Sequence, residues 1–227
     1  MALNASLSPE TLHSPAALRN REPIALTLAP YLDQIQAATP KSHPTDPDRA
    51  MAVRGRLLEV ASGGGTHVAY LARRYPQLDW QPTEREPELV RRIENLLVTE
   101  ALSNVGVPCE LDITQVPSDW PAQSFDGLLN LNMVHISPWT ATLGLMEAAQ
   151  RLLKPGGRLF LYGPFAENGR LTPESNRRFH ATLRQQNATW GIRDIRDLEE
   201  EAAKVGLGLE AHHAMPANNR ILVFKKM

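Results

Sequence analysis

The stretch Leu57-Leu58-Glu59-Val60-Ala61-Ser62-Gly63-Gly64-Gly65 decides the fold of this chain. Its first five residues form an apolar run, interrupted only by Glu59, that is typical of a short buried strand. The run leads into three glycines, and residues 66–75 then show helical spacing. A strand, a glycine turn and a helix in this order present backbone N–H groups to an approaching ligand. The stretch therefore predicts a binding turn at the carboxyl end of the first strand of an α/β sheet.

Strand and helix signals alternate outward from this turn to about residue 162. Strands are predicted at 57–61, 78–83, 108–111, 125–131 and 158–162, and helices at 66–75, 87–102 and 140–153. Such alternation predicts a doubly wound, mostly parallel sheet with helices on both faces. The last two strands, 207–213 and 220–225, are joined by a short connection that permits only an antiparallel hairpin.

The first part of the chain is set apart by its composition. Residues 1–20 are polar and predict a loop, whereas apolar residues recur at helical spacing from Pro23 to Ile35. Pro30 predicts a kink or an early end of that helix. Three prolines between residues 39 and 52 indicate a linker. We therefore divide the chain into an N-terminal segment, 1–52, and a main domain, 53–227.

Composition excludes several classes of protein. The formal net charge is −1 over 227 residues, and no long basic block is present. Nucleic acid is thus not expected as an obligatory partner. The start of the chain lacks a signal-peptide pattern, and no apolar stretch approaches the roughly 20 residues of a membrane span. A cytoplasmic protein that does not contact membranes is expected.

No metal site is expected either. The neighbouring pair His212-His213 lies in a predicted strand, where adjacent side chains point to opposite faces. No Cys/His spacing typical of zinc occurs, and Cys109 is the single cysteine.

The residues around the glycines narrow the choice of ligand. The dinucleotide-binding fingerprint Gly-x-Gly-x-x-Gly requires a third glycine, and Val68 occupies that position here. Glu59 has no place in that fingerprint, but its carboxylate suits a ligand with an ammonium group. The methionine end of S-adenosylmethionine (SAM) carries such a group, so the turn favours SAM over a nicotinamide cofactor.

Two further acidic positions follow the next strands. Glu84 ends the second strand, where a carboxylate can accept hydrogen bonds from ribose hydroxyls; it could instead be an exposed helix-capping charge. Asp112 follows the third strand and could bind an adenine amino group while Ile113 packs on the ring. Alone, Asp112 would be read as a turn residue.

Together these features resemble the class I SAM-dependent methyltransferases. They are Glu59-x-x-x-Gly63-x-Gly65, Glu84, Asp112-Ile113, and Leu152-Leu153-Lys154-Pro155-Gly156-Gly157. The resemblance implies a Rossmann-like, seven-stranded sheet whose last strand is antiparallel, with SAM as cofactor and S-adenosylhomocysteine (SAH) as product. The cofactor contacts it implies are Glu59, Ala61, Ser62, Gly63, Gly65, Glu84, Asp112, Ile113 and Asn130.

A closer resemblance is to a methyltransferase-like family known as domain of unknown function 938. The segments that carry it are Arg19–Ile24, Trp80–Pro82, Asn132–Trp139, Gly163–Phe165 and Trp190–Asp194. Family members often have Gly-Thr-Gly where this chain has Gly63-Gly64-Gly65, and Asp where it has Glu84. The family's substrate is unsettled, so the resemblance implies fold and cofactor but names no methyl acceptor.

Candidate acceptor-side residues follow the fourth strand. Methyl transfer depends mainly on holding a nucleophile in line with the methyl group. Asn132 could orient an acceptor and His135 could take its proton, although His135 could equally be a helix-start histidine. Asn130 could instead bond to backbone groups within the sheet. Tyr162, after the fifth strand, is a second acceptor-side candidate or a core aromatic.

Two segments could cover the site. Arg19, Asn20 and Arg21 could close over the cofactor as a lid, with an arginine on a carboxylate, or could simply precede a helix. Residues 167–190 are long enough to form a second wall over the acceptor pocket or over the sheet.

The sequence thus predicts a SAM-dependent methyltransferase acting on a small-molecule acceptor. Alternatives are a SAM-binding regulator or isomerase without methyl transfer, and a nicotinamide-dependent oxidoreductase. A protein or RNA methyltransferase is disfavoured because no extended charged surface or added domain is evident. The sequence leaves open whether the chain acts as a monomer or a homodimer.

Overall fold

A computed structural model describes residues 14–38 and 54–227 of the chain. The predicted linker at 39–52, the division between residues 52 and 53, and the first 13 residues of the predicted loop lie outside these ranges. The helices are α1 (Pro15–Ala38), α2 (Thr66–Arg74), α3 (Pro87–Glu100), α4 (Trp139–Leu152), α5 (Glu174–Gln186) and α6 (Ile195–Lys204). The strands are β1 (Arg56–Val60), β2 (Asp79–Glu84), β3 (Cys109–Glu110), β4 (Phe125–Leu131), β5 (Leu153–Gly163), β6 (Phe165–Ala166), β7 (Arg193–Asp194), β8 (Leu207–Ala214) and β9 (Arg220–Lys226).

The main sheet has seven strands in the order β3-β2-β1-β4-β5-β9-β8. Strands β1 to β5 run parallel, and β9 is antiparallel to both β5 and β8. The predicted α/β fold with an antiparallel terminal hairpin is confirmed. A separate parallel pair, β6 with β7, lies beyond the end of β5.

Apolar side chains cover both faces of this sheet. One core cluster joins the sheet to α4 and α6, and the other joins it to α1 and α2. Strand β4 contributes to both, since Leu128 packs on the first face and Leu129 on the second, and each is fully buried. Burial on both faces explains the nearly continuous apolar run of this strand.

Helix α1 is longer than predicted. The loop predicted to residue 20 was wrong from Pro15 onward, and the helix continues through Pro23 and Pro30 to Ala38. Its apolar stripe, including Ile24, Leu28 and Leu32, is fully buried against the sheet. That burial outweighs the hydrogen bonds that Pro23 and Pro30 each remove, and Pro30 itself lies on the exposed side of the helix.

Strand β5 also begins earlier than predicted. Leu153 pairs with Phe125 and Arg158 with Gly127, so the segment from Lys154 to Gly157, which was expected to turn the chain, forms an irregularity without pairing partners in β4. The Lys154 ammonium lies 2.8 Å from both carboxylate oxygens of Asp126 on β4, which holds the segment against its neighbour. Other predicted bounds differ by one or two residues.

The parallel strands bring their carboxyl ends to one edge of the sheet, where the glycine turn lies. Gly65 begins α2 with φ of 78°, a left-handed conformation. A Cβ atom there would lie 3.1 Å from Leu96 Cδ2 and 3.3 Å from Ile93 Cγ2. The turn therefore needs glycine at this position both for its backbone and for its packing against α3.

We predict that Gly65→Ala lowers the free energy of unfolding more than Gly156→Ala does. Both glycines have positive φ, but a Cβ at Gly156 has no neighbour within 4 Å. The difference isolates the crowding against Leu96 and Ile93, and should be about 1–3 kcal/mol. Chemical denaturation of the two variants measures it; equal losses would show that α3 accommodates the added methyl group.

Candidate functional site

A cleft of about 800 Å³ opens at the carboxyl edge of the parallel strands. Its size lies in the range of small-molecule and cofactor sites. The residues following β1, β2, β3 and β4 line it, together with the start of α1 and the segment before β7. In chain order these linings include Ser14, Ala17, residues 59–64, 84–86, 111–114, 131–133 and 136–138, Asn187 and Trp190.

Glu59 lies at the base of this cleft on β1. It is only 2 % exposed, and its Oε2 has no hydrogen-bond partner among the described residues. Burial, reinforced by the nearby Glu84 carboxylate, raises the pKa of Glu59 to about 8. Ionising a carboxyl at this depth is costly unless a cation or a hydrogen-bond donor pairs with it. The arrangement therefore points to a cationic ligand group.

Glu84 fastens the glycine turn to the end of β2. Its Oε2 accepts a hydrogen bond from the Gly63 N–H (2.7 Å), and its Oε1 accepts one from the Arg85 N–H (2.8 Å). Glu84 is nearly buried and lines the cleft, so the alternative of an exposed capping charge is wrong. Each carboxylate oxygen has a second lone pair with which it can accept a hydrogen bond.

The turn itself leaves room for a ligand. Ala61 and Gly63 have φ of 58° and 57°, and Ser62 donates its backbone N–H to Thr83 O (2.8 Å). A Cβ at Gly63 would meet no atom within 4 Å, so the backbone there faces open space. A ligand can thus approach the backbone of the turn closely.

Asp112 and Ile113 line the cleft beyond β3. Asp112 Oδ1 accepts hydrogen bonds from the Thr114 hydroxyl (2.7 Å) and the Thr114 N–H (2.9 Å). These two bonds lower the pKa of Asp112, so the carboxylate stays ionised. Ile113 is 6 % exposed and supplies an apolar surface beside it. Asp112 is therefore both a turn residue and a lining residue of the cleft.

Two predicted site residues lie outside the lining of the cleft. Asn130 is fully buried within the sheet and donates its side-chain N–H to Val60 O (3.0 Å). Tyr162 packs in the core beneath α1 and α2, and its hydroxyl accepts a hydrogen bond from Asn219 (2.9 Å). Asn130 therefore bonds to the backbone within the sheet, and Tyr162 is a core aromatic, which are the structural alternatives stated for these two residues.

Asn132 and His135 both lie in the loop that follows β4, but their side chains have different surroundings. Asn132 lines the cleft in a left-handed conformation, with φ of 73°. His135 does not line the cleft; it is 3 % exposed, and its ring packs edge-on to Phe179 with 5.7 Å between centroids. Burial, with a contribution from the charge of Arg193, lowers the pKa of His135 to about 4, so the ring is neutral at physiological pH.

The predicted lid residues lie within α1. Arg21 stacks over the ring of Tyr70 at 4.9 Å, and neither Arg19, Asn20 nor Arg21 lines the cleft. Ser14 and Ala17, one turn earlier, do line it. The start of α1 therefore frames the cleft, through residues that the sequence did not single out.

Sequence reasoning also missed a clamp formed by Arg193. Its guanidinium donates from Nε to Val134 O (2.9 Å) and from Nη2 to Ser137 O (2.6 Å) and Thr189 O (3.0 Å). It thereby joins the loop after β4 to the segment that carries Trp190. The available signal was the Trp190–Asp194 motif, whose role only the fold discloses.

The comparisons with known proteins agree with this geometry. The model of a family described as "Protein of unknown function (DUF938)" matches residues 11–226. The chain is a member of this family. Its fold is that of the class I SAM-dependent methyltransferases, as solved structures show.

Three solved structures illustrate the shared fold of this DUF938 chain. An O-methyltransferase family protein from Burkholderia thailandensis matches with a TM-score of 0.66 at 16 % identity, over 91 % of this chain and 58 % of its own. An O-methyltransferase family 2 protein from Planctomyces limnophilus matches with a TM-score of 0.66 at 18 % identity, over 96 % and 64 %. A protein assigned as a sarcosine dimethylglycine methyltransferase from Galdieria sulphuraria matches with a TM-score of 0.69 at 13 % identity, over 89 % and 85 %. The chain thus spans under two thirds of the first two proteins.

No helix in residues 14–38 and 54–227 is long and apolar enough to cross a membrane. The same residues contain no group of three or more acidic, histidine or cysteine side chains placed to hold a metal ion.

We predict that Arg193→Lys loosens the two loops that Arg193 joins. A lysine cannot reproduce three hydrogen bonds in the fixed directions of a guanidinium. Hydrogen–deuterium exchange of residues 133–138 and 187–192 should accelerate at least tenfold, while the strands of the sheet keep their protection. Arg196→Ala, at an exposed ion pair of 3.8 Å with Glu200, is the matched control and should change neither loop. Unchanged exchange in Arg193→Lys would contradict the clamp.

We also predict that Glu59 makes the ligand-free protein less stable as the pH rises. The unfolded chain loses the Glu59 proton near its ordinary pKa of 4.5, whereas the folded protein holds it to about 8. The stabilisation is complete below pH 4.5 and is lost as the pH rises through 8, by at most about 1.4 kcal/mol per unit.

The measurement compares wild type with Glu59→Gln, which mimics the protonated carboxyl. Their free energies of unfolding should be similar near pH 5, and the variant should be the more stable by pH 8. Groups elsewhere in the chain cancel in this difference. A constant difference from pH 5 to 8 would show that Glu59 does not hold its proton.

Proposed function

We propose that this chain is a SAM-dependent methyltransferase that acts on a small-molecule acceptor. The observation that carries the proposal is the buried carboxyl of Glu59, a residue that lines the cleft and has one oxygen without a hydrogen-bond partner. The α-ammonium of a methionine moiety is a cation of suitable size and reach for that oxygen. Pairing would stabilise the ionised form of Glu59 and remove the cost of its burial.

The remaining cofactor contacts follow from the cleft. Glu84, already fixed by two backbone N–H groups, would accept from the ribose hydroxyls. Asp112 and Ile113 would meet the adenine amino group and ring. The open face of Gly63 leaves room for the sulfonium-bearing chain, and Ala61 and Ser62 complete the turn. When bound, SAM supplies an electrophilic methyl group.

Val68 supports this cofactor over a nicotinamide dinucleotide. In a dinucleotide site, a third glycine lets the following helix approach the strands closely. Val68 occupies the corresponding position and is fully buried between α2 and the sheet. Its side chain keeps the helix away from β1, which suits a ligand without a pyrophosphate.

On the acceptor side, the geometry favours Asn132 over His135. Asn132 reaches the cleft and could hold an acceptor by hydrogen bonds, so that positioning supplies the acceleration. For His135 to serve as the base, its ring would have to leave the contact with Phe179 and gain a path to the cleft. Its neutral state at physiological pH would otherwise suit that role.

The proposal is tested by calorimetric titration with SAH and, separately, with NAD. We expect micromolar binding of SAH and none of NAD, because the cleft offers an ammonium site and no pyrophosphate turn. Glu84→Ala should lower the affinity for SAH at least tenfold because the ribose contacts are lost. Glu59→Gln should lower it to a similar extent because the ion pair is lost. Glu88→Ala, an exposed residue in the first turn of α3, is the control and should leave the affinity unchanged.

Binding of NAD in place of SAH would contradict the proposal. Binding of SAH without SAM consumption in a broad screen of small acceptors would instead favour the alternative of a SAM-binding regulator or isomerase.

A further inference from the structure

Charge is unevenly distributed in the cleft. Its acidic and basic linings lie on β1, at or just after the ends of β2 and β3, or on α3; they are Glu59, Glu84, Arg85, Glu86, Arg92 and Asp112. The linings that follow β4 or precede β7 are uncharged and define what we call the acceptor wall; they are Asn132, Met133, Ile136, Ser137, Asn187 and Trp190. Since β4 lies between β1 and β5 in the sheet, the acceptor wall lies on the β5 side of the cofactor half.

Trp190 is held in the acceptor wall by its neighbours. Its backbone N–H donates to Asn187 O (3.0 Å), and the Gly191 N–H donates to His135 O (3.0 Å). Next along the chain, the Ile192 N–H donates to His180 Nδ1 (3.1 Å). The backbone that carries the indole is therefore held in place, and a ligand that stacks on Trp190 need not order the segment.

Arg193, a cation that joins the loops of this wall, has its donors directed away from the cleft. The guanidinium of Arg193 is occupied by the carbonyls of Val134, Ser137 and Thr189, and it stacks on the ring of Trp139 at 5.5 Å. A carboxylate or phosphate in the acceptor would find amides, hydroxyls and apolar groups in place of a counter-charge. Burying such an unpaired charge is strongly unfavourable.

The exposed apolar side chains of the acceptor wall also favour an uncharged acceptor. Ile136 is 42 % exposed, and it lines the cleft with Met133 and Trp190. Apolar and aromatic surface beside a few neutral hydrogen-bonding groups is the lining that recognises a flat, uncharged molecule.

We propose that the acceptor is an uncharged aromatic small molecule that stacks on Trp190 and directs a hydrogen-bonding group towards Asn132. This inference rests on the proposed cofactor, which would fill the charged half of the cleft and leave the acceptor wall free. Trp190 is then a substrate-binding residue, and the neutrality of the wall selects against charged analogues.

The test uses three probes that share a ring system and differ in charge at pH 7. They are 2-naphthol, which is neutral, 2-naphthoate, an anion, and 2-naphthylmethylamine, a cation. Each is titrated calorimetrically into protein saturated with SAH. The neutral probe should bind at least tenfold more tightly than either charged probe.

Variants locate the binding on Trp190. Trp190→Leu should weaken 2-naphthol about tenfold, whereas Trp190→Phe, which keeps a flat ring, should retain most of the affinity. Val98→Ala removes an exposed apolar side chain that lies outside the lining of the cleft, so it should have no effect. The affinity of each variant for SAH, measured first, shows that the cofactor half is intact.

The outcomes separate the two proposals. Tighter binding of either charged probe, equal affinity in Trp190→Leu, or no binding of 2-naphthol to protein that binds SAH would overturn the aromatic acceptor alone. Failure of the wild-type protein to bind SAH would overturn the cofactor proposal.

Discussion

The hydrogen bond from the Gly63 N–H to the Glu84 carboxylate, 2.7 Å long, is the constraint on which the site depends. It ties the turn after β1 to the end of β2, and the bond from Ser62 N–H to Thr83 O supports it. With the turn fixed, Glu59 remains beneath it, shielded from water, at the edge of the open cleft. The raised pKa of Glu59 is thus a consequence of backbone geometry three and four residues further along the chain. Any change that releases the turn would also hydrate Glu59 and return its pKa towards the ordinary value.

Much of this arrangement could be predicted from the sequence, because it follows from parallel strands. Once 57–61, 78–83 and 108–111 are strands of one parallel sheet, the residues after them must meet at one edge. Local periodicity and the single hand of parallel crossovers are therefore enough to predict that Glu59, Glu84 and Asp112 lie together.

The rest depended on packing between distant segments, which periodicity does not encode. The continuation of α1 through Pro30 depends on an apolar face of the sheet that is formed by residues far along the chain. His135 is buried because Gly163 leaves space for its ring and Phe179 covers it, and neither residue is near in sequence. Trp190 enters the cleft because Arg193 fastens its segment to the loop after β4. In each case a local pattern was compatible with two positions, and a tertiary contact selected one.

Helix α1 has a consequence for how the chain reaches its native state. Its Tyr31 hydroxyl hydrogen-bonds to His213 (2.8 Å), and the Thr27 hydroxyl donates to Met215 (3.3 Å), so the first described helix rests on the last hairpin. These partners are 182 and 188 residues apart in the sequence. Contacts across so long a loop form slowly. Leu57 of β1 and Val68 and Leu71 of α2 lie nearer in the sequence and cover part of the same apolar stripe. The docking of α1 can therefore begin on β1 and α2, and it is completed only when the hairpin is in place.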